Sequence, residues 1–302
     1  MYEKILVPLD GSELAEVALP YAEELAGRLN SEVTLVHVFE WTKDTNKHMN
    51  RFYLDKMVEA TKQGAKRFSN KSEKQTIRIK SQILVGNPAE EIVEQADEED
   101  IGLIVMATHG ESGVKRWALG SVADKVVRAT NRPVALIRAK GVRPDVRKKG
   151  ILKKALVPLD GSKEAEEIVP YVQELASKLK ADVVLFQVIK TTYETINAAG
   201  YGSGNYTEQQ IASEKAFAED YLGKIGSQLK QKGVTVTTKV RFGNAAEEII
   251  KLADEMCADV VGMSTHGRSG IGRWVLGSVA GRILHEGTTP LLLVRSPRTA
   301  MK

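Results

Sequence analysis

Two stretches of the 302-residue chain carry residues suited to anion binding, and they are nearly the same stretch. Thr108 to Ser121 reads THGESGVKRWALGS, and Thr265 to Ser278 reads THGRSGIGRWVLGS, 157 positions later. In both copies His-Gly is followed by nine residues and then Gly-Ser. A glycine such as Gly110 removes a side chain where the backbone comes close to something or takes positive φ. Gly120 and Ser121 open the segment SVADKVV, a helix whose first amides are unpaired at the positive end of its dipole. Phosphate oxygens satisfy such amides, and a serine hydroxyl adds a donor. Each interaction of this kind contributes about 0.3–2 kcal/mol.

A second pair of motifs has the opposite polarity. Pro8-Leu9-Asp10-Gly11-Ser12 recurs as Pro158-Leu159-Asp160-Gly161-Ser162. A carboxylate beside a polyphosphate repels it, so Asp10 and Asp160 belong at a sugar or base, accepting from hydroxyl or amino groups. One donor-rich loop and one acceptor at neighbouring strand ends fit a nucleoside phosphate. Singly, each motif has a plainer explanation. Gly-Ser before a helix is an N-cap, and Asp-Gly-Ser after a strand is a turn. Their recurrence together, in the same order in both halves, favours a ligand.

Other chemistries are less well served. The spacing matches neither a phosphate loop ending in Gly-Lys-Ser/Thr nor the dinucleotide G-x-G-x-x-G. HGRSGIG (His266 to Gly272) lacks the G-x-S-x-G spacing of a nucleophile elbow, and no nearby acid and histidine complete a triad, so a hydrolase is disfavoured. His109 and His266 are read as structural or backbone-bonding, with phosphate contact the alternative. Neither has a second ligand at zinc spacing. Trp117 and Trp274 are expected to pack the loop on its own domain. Lys115, Arg116 and Arg273 either neutralise phosphate or face solvent. Cys257 is the lone cysteine, which excludes an intramolecular disulfide, and it reads as a small buried residue at a helix end.

The elements that position these motifs follow from periodicity. KILVPLD is a short run of branched apolar residues ending at Asp-Gly-Ser, which reads as a buried strand and a turn. Ser12 then caps a helix carrying Leu14, Val17, Ala18, Tyr21, Ala22, Leu25 and Leu29 at helical spacing. EVTLVHVF is the next strand, followed by a helix over about residues 50–68, the strand TIRIKSQILV and a short helix from Pro88. IGLIVMAT, GSVADKVVRAT and PVALIR complete the half as strand, helix and strand, and the second half repeats the order. Such alternation predicts an α/β fold: two tandem doubly wound domains, each a five-stranded parallel sheet with helices on both faces. The domains are expected at 1–140 and 154–302, joined by a basic linker at 141–153. The repeat offset rises from 150 at KALVPLDGS to 157 at GNAAEEII, which places seven extra residues in the loop-like Thr191 to Tyr206.

Bulk composition bounds the partners. With 42% apolar and 27% charged residues, the chain is globular in type. No apolar run approaches the ~20 residues of a membrane helix, and the N-terminal sequence does not read as a secretory leader, so a cytoplasmic location is expected. The net charge is only +4, and the basic run RPDVRKKGILKK falls at the linker, where a solvated connector is a better reading than a nucleic-acid site.

Taken together, these motifs resemble the universal stress protein family in its tandem two-domain form, over nearly the whole chain. Its nucleotide-binding branch carries G-x-x-G, nine residues, then G-Ser/Thr. Here the run is Ala107-Thr108-His109-Gly110 to Gly120-Ser121, and Ser264-Thr265-His266-Gly267 to Gly277-Ser278, with Ala107 and Ser264 in place of the first glycine. The resemblance implies a Rossmann-like, adenine nucleotide alpha hydrolase-like fold that binds ATP, or ADP or AMP, with any Mg²⁺ carried by the nucleotide. Asp10 and Asp160 would sit at the adenosine end, and the backbone of Val38 and Val188 would meet adenine. Gly110, Gly120, Ser121 and Val122 would hold phosphates in one half; Gly267, Gly277, Ser278 and Val279 would do so in the other. Pro8, Leu9, Met106, Ala107 and His109, with Pro158, Leu159, Met263, Ser264 and His266, complete the expected binding set. The resemblance further implies pairing of the two last strands into an intramolecular pseudo-dimer, with a homodimer of the whole chain as a further possibility. A stress-regulatory binding protein is the first functional expectation. A slow ATP hydrolase and a scaffold whose loop is only a helix cap are the alternatives.

Overall fold

The computed structural model describes residues 1–39, 47–69, 76–109, 119–138, 152–190, 208–265 and 276–295. Branched apolar runs become strands, and segments with helical spacing cover them. In the first half β1 (Lys4–Pro8), β2 (Glu32–Phe39), β3 (Ile79–Val85), β4 (Leu103–Ala107) and β5 (Val134–Ile137) alternate with α1 (Leu19–Leu29), α2 (Lys47–Lys66), α3 (Pro88–Glu98) and α4 (Ser121–Ala129). The second half repeats this with β6 (Lys154–Pro158), β7 (Asp182–Ile189), β8 (Val236–Phe242), β9 (Val260–Ser264) and β10 (Leu291–Val294). Its helices are α5 (Val169–Leu179), α6 (Glu208–Gln231), α7 (Ala245–Glu255) and α8 (Ser278–Glu286).

All ten strands form one sheet in the order β3-β2-β1-β4-β5-β10-β9-β6-β7-β8. Strands within each half are parallel. The final strands meet antiparallel, with Leu291 opposite Leu136, Leu292 opposite Ala135 and Leu293 opposite Val134. That pairing hides two apolar edges that would otherwise present unsatisfied backbone groups. Side chains alternate between two cores. Ile5, Val7, Leu103, Val105, Leu292 and Val294 join the side of α1, α2, α5 and α6. Leu6, Ile104, Met106, Leu291 and Leu293 join the side of α3, α4, α7 and α8. Burial on both faces is why the strands read as near-continuous apolar runs.

Three local expectations are corrected. The helix after Asp-Gly-Ser is broken in both halves. Ala15–Ala18 forms a 3-10 turn before α1, and Lys163–Glu166 a single turn before α5. Pro20 and Pro170 cause the restart, because each lacks an amide and fits only the first turn of the helix it opens. The seven-residue difference between the halves is a net figure rather than one insertion. Twelve residues separate α2 from β3, but only Lys232 to Thr235 lie between α6 and β8, and α6 has 24 residues against 20 in α2. Thr191 to Tyr206 itself lies outside the described residues. Finally, Cys257 is exposed. It takes φ +52 at the end of α7, where the amide of Ala258 reaches back to the carbonyl of Ala253 at 2.8 Å. This left-handed cap turns the side chain outward, as it does at Asp100 (φ +51) after α3.

Candidate functional site

In each half the chain runs from the first strand outward to one side, then returns to the other. The order therefore reverses between β1 and β4, and again between β6 and β9. The carboxyl ends of such strands flank a crevice where α/β sheets take ligands. The sequence motifs emerge there: Leu9 and Asp10 after β1, Thr108 and His109 after β4, Leu159 and Asp160 after β6, and Thr265 after β9.

The Asp-Gly-Ser turn is held by its own side chains. Asp10 Oδ1 accepts from the Ser12 amide at 3.0 Å and from its hydroxyl at 2.6 Å. Asp160 does the same with Ser162 at 3.0 and 2.5 Å. The serine oxygens in turn accept from the amides of Ala15 at 3.2 Å and Ala165 at 3.1 Å. Gly11 and Gly161 complete the bend with φ of +87° and +86°, a region glycine enters without steric penalty. Asp10 remains exposed at the rim.

The glycine loop is closed at a neck. The amide of Gly120 donates to the carbonyl of Thr108 at 2.8 Å, and Gly277 does likewise to Thr265 at 2.8 Å. The loop ends are fastened to the next strand, because the amide of Thr108 donates to Ile137 and that of Thr265 to Val294, both at 2.8 Å. Gly120 and Gly277 are the N-caps of α4 and α8, and as glycines neither supplies a side-chain hydrogen bond to its helix. The neighbouring α3 and α7 differ. Asn87 accepts from Ala89 at 3.1 Å, and Asn244 from Ala246 at 3.1 Å and Glu247 at 3.3 Å. A glycine cap offers no side-chain oxygen of its own to the leading amides of these helices.

The expected residues separate into two groups. Asp10, Gly120, Ser121 and Val122, with Asp160, Gly277, Ser278 and Val279, are exposed or half-buried at the crevice edge, as are Pro8, Val38, His109, Pro158 and Val188. Leu9, Met106, Ala107, Leu159, Met263 and Ser264 are buried. Gly110, His266 and Gly267 lie outside the described residues, as do Lys115, Arg116, Trp117, Arg273 and Trp274.

His109 shares a 3.0 Å hydrogen bond between Nδ1 and the Thr108 hydroxyl, while its Nε2 is buried without a partner. Sequence reading missed three further groups. His37 Nδ1 donates to the carbonyl of Leu9 at 2.8 Å, fixing the strand end beside Asp10, and its Nε2 is buried and unpartnered. The equivalent residue, 150 positions on, is Gln187, whose Oε1 is likewise buried without a partner. The third group recurs in both halves: Tyr53 donates to Glu16 Oε1 at 3.1 Å, and Tyr221 to Glu166 Oε1 at 3.0 Å. Burial and these carboxylates hold both phenols well above the ordinary tyrosine range, and Asp10 and Asp160 push in the same direction. The signal was available at Glu16 and Glu166, which keep the repeat offset of 150. Tyr53 and Tyr221 do not keep it, so alignment by offset could not find them.

Comparison with known proteins places the chain in a family and a fold. The family model described as the universal stress protein family matches residues 1–138 and again 152–295. A universal stress protein of Methanocaldococcus jannaschii is 32% identical over 157 residues, covering 46% of this chain and 97% of its own. A Mycobacterium tuberculosis universal stress protein is 24% identical over 309 residues and covers 96% of both chains. Among solved structures, a universal stress protein from Archaeoglobus fulgidus superposes with a TM-score of 0.65 at 20% identity, covering 98% of this chain and 100% of that one. At that identity the likeness concerns the fold.

Proposed function

Since the chain belongs to the universal stress protein family, we propose that it is an adenine-nucleotide-binding regulatory protein, ATP its foremost ligand, with one site in each half. The observation that carries this reading is the pair of glycine-capped helix N-termini behind closed glycine necks, both at the sheet's reversal points. Amides of Ser121 and Val122, and of Ser278 and Val279, meet phosphate oxygens and add the helix dipole to the attraction. Asp10 and Asp160 take the sugar at the opposite rim, where their charge does not oppose the phosphates. His109 Nε2 is available to the ligand or to a water that accompanies it.

The binding protein changes a partner surface when nucleotide occupies the cradle, and it does so in the cytoplasm during stress. It is a binding protein rather than an enzyme. Among the described residues no group of three or more histidine, cysteine or acidic side chains is placed to hold a metal ion. In this reading any Mg²⁺ travels with the phosphates, and no step depends on it. The paired last strands make the two halves an intramolecular pseudo-dimer, and whole chains associate further into homodimers. No helix among the described residues is long and apolar enough to cross a membrane.

The test is the nucleotide released on denaturing protein purified without added ligand, backed by thermal shift. ATP at about 100 times its dissociation constant adds roughly 2.7 kcal/mol of stability. Empty protein whose melting temperature ignores ATP, ADP and AMP would return the loop to a plain helix cap.

A further inference from the structure

Each half ends its last strand with an arginine that reaches the far end of the other half's cradle helix. Arg295, just after β10, places Nη1 3.2 Å from the carbonyl of Arg128, 3.5 Å from that of Ala129 and 3.4 Å from that of Thr130. These carbonyls close the C-terminus of α4. Arg138, just after β5, places Nη2 3.4 Å from the carbonyl of Ile283 in the last turn of α8. A helix C-terminus carries orphan acceptors and the negative end of the dipole, so a cation is favoured there. Arg128, in the last turn of α4, has its own Nε 2.9 Å from both oxygens of Asp124. The arginine lying across the final carbonyls of α4 comes instead from the second half.

The same strand ends also fasten the two necks. Ile137, which precedes Arg138, accepts from Thr108; Val294, which precedes Arg295, accepts from Thr265. Thr108 and Thr265 in turn accept from Gly120 and Gly277. The connections close into a ring. It runs from Gly120 through Thr108 and Ile137 to Arg138, then along α8 to Gly277. From there it passes through Thr265 and Val294 to Arg295, and back along α4. Nothing in either motif alone indicates this, because each arginine acts on a helix of the half to which it does not belong.

We infer that Arg138 and Arg295 are positioning residues acting across the halves, each setting the cradle helix of the other, so that neither cradle is complete without its neighbour. The inference rests on the proposed reading of the cradles as phosphate sites, but part of its test does not need nucleotide. In hydrogen exchange on the full chain, Arg295→Ala speeds exchange of the α4 amides roughly 3- to 10-fold and leaves those of α8 unchanged. Arg138→Ala gives the reverse pattern with a smaller factor, since it has one long contact and a buried Nε without a partner. Arg295→Lys restores most of the protection, because a second cation serves the same helix end. No change in α4, or equal acceleration of both helices, overturns the inference.

The nucleotide arm uses ATP and a chain whose second cradle is blocked by Gly277→Val. There Arg295→Ala weakens ATP binding to the first cradle by a similar factor, and unchanged affinity overturns the inference. If the unsubstituted chain binds no ATP, the nucleotide reading falls, and the exchange pattern decides the role of the arginines by itself.

Discussion

A Cβ built on Gly120 would stand 2.8 Å from the Thr108 carbonyl oxygen, the same oxygen that accepts the Gly120 amide at 2.8 Å. Donor and acceptor can approach this closely only because no side chain intervenes. Gly120→Ala must therefore widen the neck and tilt the start of α4. The expected result is a loss of about 1–3 kcal/mol in chemical denaturation, typical of overpacking, together with loss of ATP affinity in the first half. A crystal structure with the neck still at hydrogen-bond distance and affinity intact would contradict it.

Asp10 has two separable duties. Asp10→Asn keeps an oxygen for the Ser12 amide and hydroxyl, so the turn survives; Asp10→Ala loses both bonds and about 1 kcal/mol. If the carboxylate also meets the ribose, Asn lowers nucleotide affinity while the melting temperature stays put. Equal affinity for Asn and the native chain would confine Asp10 to the turn.

The two cradles are not electrostatically alike. Asp124 lies in the first turn of α4, paired with Arg128 at 2.9 Å, whereas the equivalent residue in α8 is Gly281. A carboxylate near the helix start opposes a bound phosphate even when paired. The second half is expected to bind ATP several-fold more tightly at low salt. Asp124→Gly should raise the first site toward it, an effect that salt reduces. Two equal sites by calorimetry, unchanged in the variant, would contradict this.

Alkaline pH weakens the fold through its tyrosines. Tyr2, Tyr53, Tyr171 and Tyr221 are all held above the ordinary tyrosine value, first by burial and then by neighbouring carboxylates. Above pH ~10 the unfolded chain releases these phenolic protons while the folded chain keeps them. The unfolded state then binds fewer protons, so stability is full below pH ~10 and falls as pH rises beyond it. Tyrosinate absorbance should lag in the native chain, and Tyr53→Phe with Tyr221→Phe should shrink that lag.

The halves are also joined by a buried carboxylate. Glu24 in α1 is fully buried, pairs with Arg28 at 2.8 Å and accepts from the amide of Leu152 at 3.2 Å; Arg28 also donates to the carbonyl of Leu179. Glu24→Ala strands an arginine and an amide together and is expected to cost about 3 kcal/mol. Glu24→Gln, which can still accept from Leu152, should cost less. A change below 1 kcal/mol for alanine, measured by urea unfolding, would show that water replaces the carboxylate.

Much of the architecture was readable before any coordinates. The runs at Lys4–Pro8 and Leu103–Ala107 announce strands because burial on both sides demands branched apolar residues. Gly120-Ser121 announces a helix start because capping is local. What escaped was set by residues distant in sequence. Glu16 and Tyr53 are 37 residues apart, Glu166 and Tyr221 are 55, and neither tyrosine stands out in its own helix. His37 looks like one more strand residue until its ring is seen under the carbonyl of Leu9. The broken first helix was legible in Pro20, but helical spacing on either side of it concealed the restart.

Taken alone, the order of amino acids determined that one strand-helix plan was used twice and that each copy ends a strand in Asp-Gly-Ser and begins a helix with Gly-Ser. Periodicity, turns and caps involve neighbours within a few residues, so they survive without a tertiary frame. The pairing of the two last strands was expected from the family resemblance, but only the folded chain decided its register, with Leu292 opposite Ala135, and that Arg295 reaches α4 across 165 to 167 residues. Those contacts depend on strand order and on helices packed against a shared sheet, and no local pattern encodes either.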